Sequence, residues 1–290
     1  MKWIETFING LSMGSTYAMI ALGYTMVYGI AKMLNFAHGD VIMVGGYVIF
    51  VTMSALGNPI LGLLAAVLFC VALGVTVEKI AYKPLRGASP LAVLITAIGV
   101  SYLLQSLAQI LFGTAPKMVI VADLGNCRIG PLTIPVYTLV TLGVSVVIMV
   151  VLSLFVKYTR TGRAMIAVSE DKGAAQLMGI NVNRIIMITF AIGSALAAFA
   201  GLFMLMKSPS LTNTMGAMPG IKAFTAAVIG GIGSIPGAML GGLLMGVVEA
   251  VSLTIPPVAP YTDAIEFIIL IIILLVRPTG ILGKKRREKV

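Results

Sequence analysis

The sequence predicts an all-α polytopic integral membrane protein: a bundle of about eight or nine transmembrane helices with broken or re-entrant glycine-rich segments. Three observations predict it. First, only 10% of the 290 residues are charged and 59% are hydrophobic, whereas a soluble domain carries about a quarter charged; mean hydropathy is +1.06. Second, six runs contain no Asp, Glu, Lys or Arg: 6–31 (26 residues), 41–77 (37), 88–116 (29), 129–156 (28), 185–206 (22) and 223–248 (26). Each reaches the ~20 residues that cross ~30 Å of hydrocarbon as a helix. A buried soluble core accounts for one such run, not six. Third, 14 of the 20 basic residues fall in three short segments: Lys79, Lys83 and Arg86; Lys157, Arg160, Arg163, Lys172 and Arg184; and Arg277, Lys284, Lys285, Arg286, Arg287 and Lys289. The positive-inside rule puts these segments in the cytoplasm. The net charge of +10 then has a topological cause and needs no nucleic acid, although the tail also suits anionic lipid headgroups.

Taken in order, the first run is read as a retained helix. It follows a single Lys and is too long and glycine-rich for the h-region of a cleavable signal. The 37-residue run holds two spans, separated at Gly57-Asn58-Pro59. Loop 114–134 lies outside, 157–184 inside, 207–222 outside and the tail after Arg277 inside. A final span over 261–276 carries Asp263 and Glu266 near its outer end, and Glu249 is expected to be solvated at the outer surface. Parity then requires 223–253 to enter and return, which two short half-helices with a turn at 230–237 satisfy. The domain organisation is one transmembrane domain over 1–290, with a cytoplasmic connection at 157–184 and a basic cytoplasmic tail at 277–290. Cys70 and Cys127 fall at different depths, so no disulfide is expected, and two Cys with one His make no metal site.

Two interruptions are candidates for a translocation path. The first is LNFAHGD, with Asn35, His38, Gly39 and Asp40. The second is GGIGSIPGAMLGGLLMG, with Gly230, Gly231, Gly233, Ser234, Pro236 and Gly237. Non-helical backbone at membrane depth survives only inside protein or beside a wet cavity, and broken helices supply transporter sites. Each interruption precedes a glycine-bearing helix, so the two resemble weak internal echoes. Close helix packing by small residues accounts for the second equally well. His38 with Asp40 could relay a proton or form a structural hydrogen-bonded link.

The connection 157–184 contains SEDKGAAQLMGI. Ser169 or Asp171 offers a helix cap, and Gly179 offers a stop. Ala174, Leu177 and Met178 share one face of the short helix between them, and Ala174 and Ala175 are small enough for it to sit deep in a groove. The residues leave two readings open: docking into another protein, or rest against membrane or bundle. The pattern Ala174-Ala175-x-x-x-Gly179 resembles the "EAA" loop of bacterial ABC importer permeases, with Gly173 where that loop has Glu and Asp171 as the nearest acid. LNFAHGD, TGRAMIAVSEDKGAAQLMGINVNRI, GGIGSIPGAMLGG and RPTGILG (277–283) together resemble branched-chain amino acid ABC permeases of the LivH type, from about residue 8 to 283.

The resemblance implies a non-catalytic permease subunit for branched-chain or related amino acids in the bacterial inner membrane. Its partners would be a second permease in a heterodimer, two cytoplasmic ATPases that bind ATP and Mg, and an extracytoplasmic solute-binding protein. The helix at 171–179 would couple ATPase closure to the bundle. The chain has no G-x-x-x-x-G-K-[ST] of its own, and no nucleophile-elbow or zinc-protease motif, so no cofactor is expected on it. The competing class is a self-contained secondary carrier or channel using His38 and Asp40.

Overall fold

The computed structural model describes residues 2–122, 124–129 and 132–283. The basic residues at 284–290 lie outside these, so that part of the expected cytoplasmic tail has no structural counterpart here. Eleven helices carry the fold: α1 (Lys2–Ala31), α2 (His38–Leu56), α3 (Pro59–Val77), α4 (Pro90–Phe112), α5 (Val136–Tyr158), α6 (Arg160–Glu170), α7 (Lys172–Leu177), α8 (Val182–Lys207), α9 (Ala217–Gly230), α10 (Ile235–Thr254) and α11 (Thr262–Val276). Seven spans are long and apolar enough to cross a membrane: α2, α3 with the turns that continue it to Leu85, α4, α5, α8, α10, and α11 with the turn Ala259–Tyr261 that precedes it. α1, with 30 residues, is long enough, but its Gly, Ser, Thr and Tyr content dilutes its hydropathy. α1 can carry these residues because it sits inside the bundle, where Ala18, Met19, Ile20, Ala21 and Leu22 are fully buried. Lipid-facing helices must be greasy; a protein-lined helix need not be.

The sequence sets most helix starts. Asn58 caps α3, accepting from the N–H groups of Ile60 and Leu61, with Pro59 in the first turn. Ser89 caps α4, Thr159 α6, Asp171 α7, Asn181 α8 and Ser234 α10. Each side chain satisfies a backbone donor that the first turn leaves free. α2 ends at Gly57 in the left-handed region (φ 63°), whose N–H reaches back to Met53. By contrast α2 and α9 begin at Ala37 and Gly216 with no side-chain cap.

Those two helices start inside the bundle. His38, the first residue of α2, packs against Gly23, eight residues before the end of α1 and so about 12 Å in from it. Gly39 of α2 meets Gly216 and Gly220 at the start of α9, backbone against backbone. The chain therefore turns inward twice, at 32–37 and at 208–216, and the two re-entrant segments meet head to head.

An inverted internal repeat organises the rest. α1–α4 corresponds to α8–α11: α1 packs on α10 as α8 packs on α3, α2 on α8 as α9 on α1, and α2 on α4 as α9 on α11. The structural counterpart of LNFAHGD is thus the segment before α9. GGIGSIPG corresponds instead to Gly57-Asn58-Pro59, both being capped turns between adjacent helices. This corrects the echo drawn from sequence, which matched glycine content and could not see helix direction.

One end of the bundle carries the basic connections; the opposite end carries the strands. There β2 (Asn126–Ile129) pairs with β3 (Leu132–Pro135), and β1 (Lys117–Met118) pairs antiparallel with β4 (Ser210–Leu211). The expected pair of half-helices over 223–253 is also corrected. α9 is short at 14 residues, but α10 is a full 20. The break falls at 231–234, where Gly231 and Gly233 have positive φ. Pro236 lies in the first turn of α10, where its missing N–H costs no intrahelical bond.

Candidate coupling face and translocation path

At the basic end, α6 and α7 form a corner below α1. Ser169 lies in the last turn of α6, its hydroxyl donating to the carbonyl of Ile166 at 2.7 Å, so Asp171 is the residue that starts α7, accepting from the Ala174 N–H at 3.0 Å. Gly179 (φ 82°) stops it: the Ile180 N–H reaches the Ala175 carbonyl and the Gly179 N–H reaches Gln176. The face expected from spacing is corrected in one respect. Ala175 is 4% exposed and turned into the chain's own bundle, while Leu177 and Met178 project at 90% and 82%. Ala174 and Gly179 are exposed beside them. The small residue seats the helix; the large ones face outward.

Lys172 fastens this corner to α1. Its ammonium donates to the Ala31 carbonyl at 2.8 Å, at a helix C-terminus whose last turn has no basic residue. Burial, and secondarily the neighbouring Arg86, hold the Lys172 pKa below the ordinary lysine value. Arg86 itself pairs with Glu78 and bonds Asn183.

The two sequence-level path segments do not form one site. Asn35 accepts from the Tyr82 hydroxyl at 2.8 Å. His38 fills the notch left by Gly23 and Gly193 and meets the Tyr24 ring edge-on at 4.9 Å. Asp40 accepts from the Gln105 amide of α4 at 2.8 Å. Gly39 makes the close approach to α9. All four are buried. Gly230, Gly231, Gly233, Ser234, Pro236 and Gly237 lie instead at the basic end. Gly230 and Gly237 are in backbone contact, Ser234 accepts from the Gly237 N–H at 3.2 Å, and the Ile281 and Leu282 N–H groups bond Ile229 and Gly230. The start of α10 carries its own Ser234 cap and lies close against the end of α9.

Glycines on α10 serve two neighbours. Gly237 and Gly241 face α9; Gly242 and Gly246 face α1. Across the second seam, a Cβ added at Gly14 would lie 2.7 Å from Leu243 Cα, and one at Gly10 would lie 2.9 Å from Val247 Cα. Such spacing lets helix backbones touch.

Sequence reasoning missed two features. The first is a buried ion cluster. Lys222 lies on α9 and pairs with Glu249 of α10 at 3.2 Å and with Asp263 and Glu266 of α11 at 2.8 and 3.3 Å. Glu249 is buried, so the expectation of a solvated carboxylate is overturned. Its place at the end of an apolar helix looked peripheral, but α9 and α11 close over it. The signal was one Lys and three acids scattered through apolar segments, since isolated intramembrane charges require partners. The second feature is a cleft of about 440 Å³ at the strand-bearing end, between α1, α5, α8 and α10. Thr6, Asn9, Ser12, Met13, Thr141, Phe203, Lys207 and Leu253 are among the residues that line it.

Comparison with known proteins places these elements in a family. Residues 6–274 match the family model described as branched-chain amino acid transport system / permease component, and the chain belongs to that family. It is 43% identical to the high-affinity branched-chain amino acid transport system permease protein BraD of Pseudomonas aeruginosa, covering 99% of this chain and 98% of that one. It is 42% identical to the corresponding permease LivH of Escherichia coli, over 100% and 98%. A probable branched-chain amino acid transport permease LivH of Methanocaldococcus jannaschii is 31% identical over 91% and 88%. The chain is thus a multi-pass membrane permease component.

Proposed function

We propose that this chain is one permease subunit of an ATP-driven importer for branched-chain or related amino acids in the bacterial inner membrane. In this reading the basic end, with the C-terminus, faces the cytoplasm. The chain pairs with a second permease as a heterodimer, through the lightly buried spans α4 and α11. Two cytoplasmic ATPases bind the ATP and Mg, and an extracytoplasmic solute-binding protein delivers substrate to the opposite end. The chain itself binds no cofactor.

The observation that carries this reading is the geometry of α6–α7. Two large apolar side chains, Leu177 and Met178, stand exposed beside a helix seated by Ala175 and fastened by Lys172 to the end of α1. A tip of this kind fits a hydrophobic groove on a partner, and its fastening gives a rigid route from that partner into the bundle. Leu177→Asp combined with Met178→Asp is expected to abolish co-purification of the ATPases, while the permease pair still inserts and assembles. Proton-driven leucine uptake by this chain alone in liposomes would sink the reading and favour a self-contained carrier.

A further inference from the structure

α5 carries one buried stripe through an otherwise outward-facing helix. Thr138, Thr141, Ser145, Met149, Leu152 and Val156 are its buried residues, spaced to share one face, while Val147 and Val151 are exposed. The stripe reaches a cavity at each end. At the strand-bearing end Thr138 and Thr141 line the cleft of about 440 Å³, in which Thr16 and Tyr17 are the deepest residues of α1. At the basic end Val156 lines a second cavity of about 70 Å³, together with Thr25 and Ile30 of α1, Ser169 of α6 and Gly233 before α10. From Tyr17 to Thr25 is 8 residues of α1, about 12 Å.

Each cavity has an unsatisfied hydroxyl in its wall. Thr141 is 3% exposed and Thr25 1%, and neither oxygen has a hydrogen-bond partner among the described residues. On the same two helices Thr6, Ser15, Ser153 and Thr159 bond the carbonyl four residues back. Buried hydroxyls are seldom left unpaired; in a cavity wall, water or a polar solute supplies the bond. Between the cavities the stripe is closed by methionine. The Ser145 hydroxyl donates to Met19 Sδ of α1 at 3.1 Å, Met149 is buried one turn further in, and the Ser153 hydroxyl meets Met239 Sδ of α10 at 4.0 Å. Methionine is unbranched and flexible, which suits a seal that has to repack.

The coupling corner holds both walls of this stripe. α5 passes into α6 through Thr159 alone, whose hydroxyl donates to the Phe155 carbonyl at 2.7 Å and accepts from the Gly162 N–H at 3.0 Å. Gly162 lies against the Val156 backbone. α7 is tied to the end of α1 by Lys172. A displacement of α7 therefore acts on the spacing between α1 and α5.

We propose that α1 and α5 are the walls of a gated passage through this single chain, shut in this conformation by Met19, Met149 and Met239 and opened when the coupling corner draws α5 from α1. Thr141 and Thr25 are the polar contacts on either side of the gate. Lining of this kind fits a path that is wet when open, since unpaired polar atoms at membrane depth persist only beside protein or water. The gate deepens the proposed function and rests on that reading.

The test uses the complete importer in liposomes. Ser145→Cys is placed in a Cys127→Ser background, and the buried Cys70 of α3 is the internal control. Modification by a small membrane-impermeant thiol reagent is followed without ATP, and during turnover with ATP, Mg and leucine-loaded solute-binding protein. Ser145→Cys is expected to react about tenfold faster or more during turnover, while Cys70 stays unmodified. Should Ser145→Cys fail to fold, Met149→Cys carries the same label. Met149→Ala should raise ATP-independent leakage of leucine several-fold, and Met149→Leu, which keeps the volume, should stay tight. A Ser145→Cys thiol as protected as Cys70 throughout, in an importer that still takes up leucine, overturns the passage and leaves the proposed function standing. Faster modification of Cys70 as well also overturns it, since the whole bundle then loosens. Equal leakage from Met149→Ala and Met149→Leu overturns the methionine seal. A complete wild-type importer that takes up no leucine overturns both the gate and the proposed function.

Discussion

The two halves of the inverted repeat build the same joint with different chemistry. In α1–α4, the re-entrant helix α2 is tied to α4 by one neutral-to-acid bond, the Gln105 amide on Asp40 at 2.8 Å. In α8–α11, the re-entrant helix α9 is tied to α11 and α10 by Lys222 with Glu249, Asp263 and Glu266. The backbone arrangement is shared, as the common packing pairs show. What differs is the electrostatic consequence. The first joint can lose its charge and keep its hydrogen bond. The second is a network of charges, buried at Lys222, Glu249 and Glu266 with Asp263 at its exposed edge, in which removing the lysine strands the buried carboxylates. Equivalent positions in a fold thus need not be equally replaceable.

The largest expected effect breaks the second joint. Lys222→Met leaves three carboxylates facing one another and is expected to cost about 3–5 kcal/mol, read as a loss of thermal stability of the detergent-solubilised protein. Adding Glu266→Gln should recover part of that loss. Asp40→Asn, which preserves an oxygen for Gln105, should cost about 1 kcal/mol or less. Equal losses for Lys222→Met and Asp40→Asn would erase the contrast between the halves.

A smaller effect compares the paired seams, α1 on α10 and α8 on α3. Gly14 meets backbone on α10, whereas Gly74 of α3 meets chiefly the Ser194 side chain. Gly14→Ala is expected to cost about 1–3 kcal/mol, and somewhat more than Gly74→Ala, because the Ser194 hydroxyl can rotate away and leave its Cβ at 2.8 Å, whereas Gly14 faces three backbone atoms within 2.9 Å. Gly99→Ala, where a Cβ would meet nothing within 4 Å, should stabilise its helix by roughly 0.5–1 kcal/mol. Thermal melts of the three variants rank them.

The smallest effect concerns the equivalent turns. Asn58 caps α3 and Ser234 caps α10, so Asn58→Ala and Ser234→Ala should each cost about 1 kcal/mol. Ser234→Ala should be the more disruptive, since its turn is also pinned by Ile281 and Leu282. Amide exchange at the first turns of α3 and α10 would check this; faster exchange at α3 would reverse the ranking.

Much of this was legible in the residues. Long uncharged runs gave the spans, Gly57-Asn58-Pro59 the break between α2 and α3, and Asp171 and Gly179 the limits of α7. Each is a local signal, set by hydrocarbon thickness, a capping oxygen or a left-handed backbone. The inward turn before α9 was not legible, because Thr-Asn-Thr-Met-Gly (212–216) reads as any polar loop. Nor was the direction of Ala175, since small residues suit either a partner's groove or the chain's own bundle.

By itself the sequence determined that the chain crosses a membrane many times, where its capped helices start, and that the basic connections share one end. These follow from transfer free energy and local hydrogen bonding, which depend on neighbours in sequence. Only the tertiary structure decided that α2 meets α9, that Lys222 gathers three acids from two other helices, and that a polar cleft opens beside Tyr17. Those are contacts between segments far apart in the chain. A lone charge in an apolar run states that a partner is needed; only the packing of α9 against α10 and α11 says which.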